Sequence, residues 1–181
     1  MRIISGKLRG RAIVAPKGHS TRPTADRVRE AIFDVLEHAA FGRPLTGLAV
    51  ADLFAGSGAM GMEALSRGAG RCVFCETDRE AREALATNLS GLGLASHARL
   101  ERAGAEDLAD PGPFDLAFLD PPYRSGLAEP ALERLAPRLA PEALVVVERA
   151  RGEPPLVIAG FVELGRRVWG GAEATFLGLR A

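Results

Sequence analysis

The chain has 181 residues, 47% of them apolar, with 23 basic residues balancing 23 acidic ones. That size suits one domain able to bury a core without metal or disulfide staples, and no apolar run is long enough to span a bilayer. The basic start "MRIISGKLRGRAI" lacks an apolar segment and a cleavage site, so no secretory signal is expected and a cytoplasmic location is.

The charge is unevenly spread. Up to Arg29 there are eight Lys or Arg (Arg2, Lys7, Arg9, Arg11, Lys17, Arg22, Arg27 and Arg29) against one acid, Asp26. A basic front end on a slightly acidic body suggests a polyanionic partner. "RIISGKLRGRAIVAP" reads as two short β-rich pieces around a basic, Gly-rich centre, a hairpin, and "KGHSTRPT" as loop. From Thr24 the spacing of Val28, Ile32, Val35, Leu36 and Ala39 predicts a helix with one apolar stripe, capped by Thr24 and with Asp26 in its first turn. Residues 1–43 thus form a hairpin-and-helix extension packed on a core of residues 44–181, with "FGRPLTG" as the linker.

From Leu48 strands and helices alternate. "LAVADLF" predicts a strand, "GAMGMEALSRG" a helix, "RCVFCE" a strand and "DREAREALATNLSGLG" a helix closed by glycines. "ARLERA" is a weak strand, "FDLAFLD" a strong one, 127–139 a helix and "ALVVVERA" another strand. "FVELGRRVWG" and "EATFLGLR" pair as a terminal hairpin. Near-continuous apolar strands alternating with helices predict an α/β fold, mostly parallel and covered on both faces. Cys72 and Cys75 lie three apart in a strand, so they face opposite ways and read as two reduced, buried thiols. His19, His38 and His97 show no ligand spacing, and no metal site is expected.

Two motifs carry chemistry. "DLFAGSGAMG" sets Gly56, Gly58 and Gly61 in G-x-G-x-x-G spacing between a strand and a helix. Gly56 permits the tight turn, Gly58 a close approach of backbone N–H groups to a ligand, and Gly61 close helix packing. Glu76, at the end of the next strand, is placed to bond ribose hydroxyls. A dinucleotide and S-adenosylmethionine both fit that pattern. Asp52, just before the loop, favours the second, because it suits an ammonium group and repels a pyrophosphate.

The second motif is "DPPY" at the end of "FDLAFL". Two prolines fix φ and remove N–H donors, so the turn presents acceptors, namely the Asp120 carboxylate and the proline carbonyls. Tyr123 adds a flat platform. Acceptors beside an aromatic describe a pocket for a planar group with an amino edge, such as a nucleobase, held between Asp120 and the Pro121 carbonyl.

Together, "DLFAGSGAMG", "CETD", "DPPY" and the forward segment "RIISGKLRGRAI…RPTADRVREAIFDVL" resemble the RsmD family of bacterial 16S rRNA guanine N2-methyltransferases. The likeness runs from Arg2 to about Arg149, with a weaker echo in the terminal hairpin. It implies a Rossmann-like class I methyltransferase fold, with a mostly parallel seven-stranded sheet, that uses S-adenosylmethionine. The implied substrate is a guanine in 16S rRNA within a partly assembled small-subunit particle, taken out of its stack. Nothing in the sequence suggests an obligate interface, so a monomer is expected. Carried onto this chain, Asp52, Phe54, Ala55, Gly56, Ser57 and Gly58 would line the methionine end of the cofactor, Glu76 its ribose, and Ala105 and Glu106 its adenine, with Thr77 also among the cofactor-binding residues. Asp120, Pro121, Pro122 and Tyr123 match the catalytic motif, and Arg9, Arg11, Arg22, Arg27 and Arg29 fall in the region expected to reach RNA. A DNA adenine N6-methyltransferase and a non-catalytic RNA assembly factor that binds the cofactor are the competing functions.

Overall fold

The structure, a computed structural model, describes residues 1–16, 23–39 and 41–180, without the side chains of 23–25 and 39. Arg22 and the side chain of Thr24 lie outside the described residues.

Among the described residues, the predicted runs form seven strands. They are β1 (Ala49–Leu53), β2 (Arg71–Cys75), β3 (Ala98–Glu101), β4 (Phe114–Leu119), β5 (Leu139–Ala150), β6 (Phe161–Trp169) and β7 (Ala172–Leu179). The central ones are buried on both faces, while β3 and β6, at the sheet edges, are partly exposed. One sheet holds all seven in the order β3-β2-β1-β4-β5-β7-β6, parallel except where β7 runs antiparallel between β5 and β6. This is the class I methyltransferase arrangement that the resemblance implies. Strand order reverses between β1 and β4, so a crevice opens at their carboxyl ends.

Side chains alternate along each strand, so the sheet divides its apolar residues between two clusters. Val50, Cys72, Phe74, Phe118 and Val146 face one side, while Ala51, Leu53, Cys75, Leu119 and Val147 face the other. The two cysteines therefore point apart, as their spacing predicts, and both are free.

Among the described residues, four α-helices cover the sheet: α1 (Pro23–Asp34), α2 (Ala59–Ser66), α3 (Arg79–Gly91) and α4 (Ala128–Leu135). The predicted stripe of α1 is buried at Val28, Ile32, Val35 and Leu36, and a π-helical turn, Val35–Ala39, extends it. α4 is shorter than the predicted 127–139 helix. Pro137 sits in a following 3-10 turn, Ala136–Arg138, and the chain then enters β5 at Leu139. None of the described helices is long and apolar enough to cross a membrane.

The predicted N-terminal hairpin has the expected course but no true strands. One antiparallel bridge, Arg2 to Ala12, and three backbone hydrogen bonds join its arms around a 3-10 turn, Gly6–Leu8. The turn is held against the end of α2 instead of extending a ladder. Gly6 has φ +78°, and a Cβ there would stand 2.0 Å from the Ser66 carbonyl oxygen. Glu63 of α2, wholly buried, accepts hydrogen bonds from the Ile4 and Ser5 amides at 2.8 and 2.9 Å. Ser66 Oγ accepts from the Leu8 amide and donates to the Ser5 carbonyl. Asn88 of α3 grips both backbone groups of Val14. Ile3, Ile13, Ile32 and Phe33 share one apolar cluster with Met62, Leu65, Phe118 and Val146, so the extension completes one layer of the core.

Candidate active site

Four strands deliver an acid to the same face at their carboxyl ends. Asp52 is the penultimate residue of β1, Glu76 follows β2, Asp120 follows β4, and Glu148 lies near the end of β5. Each continues the alternation set by Val50, Phe74, Phe118 and Val146. The strand ends are tied together: the Asp120 amide donates to the Leu53 carbonyl and the Ala55 amide to the Cys75 carbonyl.

The glycine loop is largely occupied by these acids. Glu76 Oε2 accepts the Gly56 amide at 2.7 Å, and its Oε1 accepts the Asp78 amide at 2.7 Å. Asp52 Oδ2 accepts the Gly61 amide at 2.9 Å, in the first turn of α2, while the Gly58 amide donates to the Ala55 carbonyl. A pyrophosphate needs such N–H groups free, so the loop is built for a cationic or neutral ligand rather than a dinucleotide. Each Glu76 oxygen keeps a second lone pair for a hydroxyl donor.

The three glycines divide their roles differently from the sequence expectation. Gly56, at φ +55°, has nothing within 4 Å of a built Cβ and forms the open turn. Gly58, at φ +81°, does not make room for a ligand: a Cβ there would meet Leu85 at 2.2 Å and Met62 at 2.5 Å. Its missing side chain serves inward packing, because the turn that starts α2 lies directly on α3. Gly61 packs α2 on β2, with Phe74 at 2.4 Å and Cys72 Sγ at 2.6 Å from the position a Cβ would take.

A cavity of about 350 Å³ lies over the ends of β1, β2 and β4, lined by Phe54, Glu76, Thr77, Ala105, Glu106, Asp120 and Pro122 among others. Asp52, Ala55, Ser57 and Gly58 are buried alongside it. Two non-glycine residues have positive φ among the described residues, Phe54 (67°) and Arg124 (57°). Phe54 lines the crevice and Arg124 directly follows the "DPPY" turn, and such strain persists where the surrounding structure holds it.

The electrostatics are those of a crowded acidic site. Burial first, then Asp120 and Glu76, push the Asp52 carboxyl up to about 7, although the Gly61 amide opposes the shift. Asp120 opens onto the crevice, where solvent reaches it, but the walls crowd out bulk water and its pKa rises to about 6. Glu148 rises to about 8, through burial and then the charge of Asp120. Burial, then Glu101 and other acids, hold the Cys75 thiol up at about 12, so it is no nucleophile. On the far side of the turn, Pro121 is buried while Pro122 and Tyr123 are exposed.

The arginines expected to reach RNA separate. Arg9 and Arg27 are exposed and line a cavity of about 480 Å³ between the N-terminal turn and α1, together with Arg2, which the sequence expectation had left out. Arg11 is exposed, with its Nη2 donating to the Gly91 carbonyl. Arg29 is a correction. Its guanidinium is 4% exposed, donates to the Arg2 carbonyl and Asp26, and stands 3.8 Å from Glu63. It braces the extension from inside, where no phosphate reaches it. Glu148 is an acid at the crevice that the sequence expectation left out. The signal was available, since "VVVE" ends an apolar strand on an acid just as "AVAD" and "LAFLD" do.

A family model described as Conserved hypothetical protein 95 matches residues 1–178. Ribosomal RNA small subunit methyltransferase D of Escherichia coli K12 is 41% identical over 152 residues, covering 82% of this chain and 74% of that protein. The chain belongs to this methyltransferase family. The solved structure of Escherichia coli yhhF superposes with a TM-score of 0.83 at 37% identity, covering 100% of this chain and 98% of that one. The Thermus thermophilus 16S rRNA N2 G1207 methyltransferase RsmC, solved with AdoMet and guanosine, has a TM-score of 0.67 at 19% identity, covering 91% of this chain and 45% of that one. At that identity the likeness is one of fold.

Proposed function

We propose that the protein transfers a methyl group from S-adenosylmethionine to the exocyclic N2 amine of a guanine in 16S ribosomal RNA. The observation that carries this reading is the "DPPY" turn, set by β4 at the strand-order reversal, beside Asp52 and Glu76. The residues present fit the cofactor. Asp52 is nearly buried and crowded by two other acids, a place that an ammonium group would relieve. Glu76 offers hydroxyl acceptors, and Thr77, Ala105 and Glu106 line the adjoining cavity. When bound, S-adenosylmethionine supplies a methyl group on a positively charged sulfur.

The remaining work falls to the chain. Asp120 and the Pro121 carbonyl accept the two N–H bonds of the target amine and so aim its lone pair. Pro122 holds the turn, and Tyr123, exposed at the rim, takes the face of a base that has left its stack. The amine gains a methyl group and sheds one proton. Asp120, ionised at neutral pH with a pKa of about 6, can take that proton and pass it to solvent. Arg9, Arg11 and Arg27, with Arg2, meet the RNA backbone on the extension side. The substrate is a small-subunit assembly particle in the cytoplasm, and the protein acts as a monomer.

The test is to incubate the protein and labelled cofactor with undermodified small-subunit rRNA, free and in particles, and map the product. N2-methylguanine at a defined position is expected, with particles preferred. Label on adenine N6, or RNA left unlabelled in both forms, would overturn the reading.

A further inference from the structure

Asp120 and the Pro121 carbonyl can accept an amino group from guanine, adenine or cytosine alike, so they do not select the base. Selection needs a group that meets the ring nitrogen beside the amine. Guanine presents a donor there, N1–H, whereas adenine N1 and cytosine N3 present a lone pair.

Glu148 stands beside Asp120, on the neighbouring strand. β4 and β5 are parallel, and Leu119 pairs with Val147, so the next pair in the register is Asp120 with Glu148. Neighbouring parallel strands run about 4.8 Å apart, which puts two carboxylates side by side on the crevice face. On its other side Glu148 pairs with Ala174, which offers it only a methyl group. Among the described residues, no hydrogen bond or ion pair reaches the Glu148 carboxylate, although it is half-buried. The next residue, Arg149, turns to the opposite face and pairs with Glu153. Folding alone gives no reason to hold an unpartnered acid beside another. Burial first, then the charge of Asp120, pushes the carboxyl up to about 8, which a donor from a ligand would reverse.

We propose that Glu148 is a specificity-determining residue that accepts the N1–H of the target guanine while Asp120 accepts its N2 amine. The inference rests on the methyltransferase function proposed above. Two neighbouring acceptors match two neighbouring donors on the guanine edge. An ionised Glu148 turns away adenine and cytosine by setting its lone pairs against theirs.

The experiment compares guanine with 2-aminopurine at the mapped position of the RNA substrate, above pH 8, where Glu148 is ionised. 2-Aminopurine keeps the N2 amine but carries a lone pair at N1. The wild-type protein should prefer guanine by about tenfold or more in kcat/KM, the range for a hydrogen bond to a charged group. Glu148→Gln keeps the side-chain volume and can turn its amide N–H toward the N1 lone pair. It should bring the ratio to within about threefold, chiefly by improving turnover of 2-aminopurine. A role in folding alone would lower both substrates equally and leave the ratio unchanged, which overturns the inference. So would a wild-type protein that accepts both bases equally. Failure of the wild-type protein to methylate guanine in any RNA is a different result, and it sinks the proposed function itself.

Discussion

Two groups of buried or half-buried acids in this molecule are treated in opposite ways. At the seam between the extension and α2, Glu63 is fully buried and fully served. It takes the Ile4 and Ser5 amides and the Arg67 guanidinium, with Arg29 beside it, and Arg67 also bonds Glu37. At the crevice, Asp52 has one backbone donor, and Glu148 has no hydrogen bond or ion pair from the described residues. The seam acids are satisfied within the chain because their work is structural. Glu76 is served by the Gly56 and Asp78 amides, but Asp52 and Glu148 are left short of partners beside Asp120, as expected where a ligand supplies the missing donors.

Removing a seam acid gives the strongest break of that comparison. Glu63→Ala would leave the Ile4 and Ser5 amides without their acceptor and remove the buried countercharge of Arg67 and Arg29, at a cost of about 3–5 kcal/mol in urea unfolding. The opposite behaviour is expected at the crevice. Asp120→Ala should lower kcat/KM by roughly a hundred- to a thousandfold, about 3–4 kcal/mol in the barrier, without lowering the melting temperature. Cofactor affinity should stay within about threefold, because the amine of the base is the partner lost. A marked fall in melting temperature would place Asp120 with the seam acids instead.

Tyr123→Ala should cost about 1–3 kcal/mol of substrate binding, seen as a higher KM for RNA, while Tyr123→Phe should be near neutral. Equal losses would mean that the hydroxyl matters. A further effect concerns pH. The Asp52 pKa is about 7 in the fold against 3.8 as its ordinary value, so the native chain holds that proton more tightly than the unfolded one. Its stabilising contribution is full below pH 3.8 and is lost as pH rises toward about 7. Asp52→Asn should therefore gain stability relative to wild type as pH climbs through that window, measured by paired thermal melts of the protein without cofactor. A difference that stays flat would show that the crevice does not crowd this acid.

Much of the fold is legible from local pattern. The strand runs from Leu48 onward, the glycine turn before α2 and the acid-proline turn after β4 all depend on side-chain periodicity and φ restrictions within a few residues. What pattern misjudged depends on distant contacts. Arg29 looked like one more solvent-facing cation, but Glu63 and the Arg2 carbonyl, both far from it in sequence, draw it inside. Gly58 looked like a ligand contact, but Leu85 of α3 occupies the space beside it.

The sequence by itself determined the elements, the acceptor-only turn at Asp120 and the family likeness, because each is written in neighbouring residues. Only the tertiary structure decided that Asp52, Glu76, Asp120 and Glu148 share one face, which acids are satisfied, and which arginines stay in solvent. Those outcomes follow from strand order and register, and they join residues up to 96 positions apart (148 − 52). No local rule encodes the ordering of strands in a sheet. Packing decides it, by burying both faces at once.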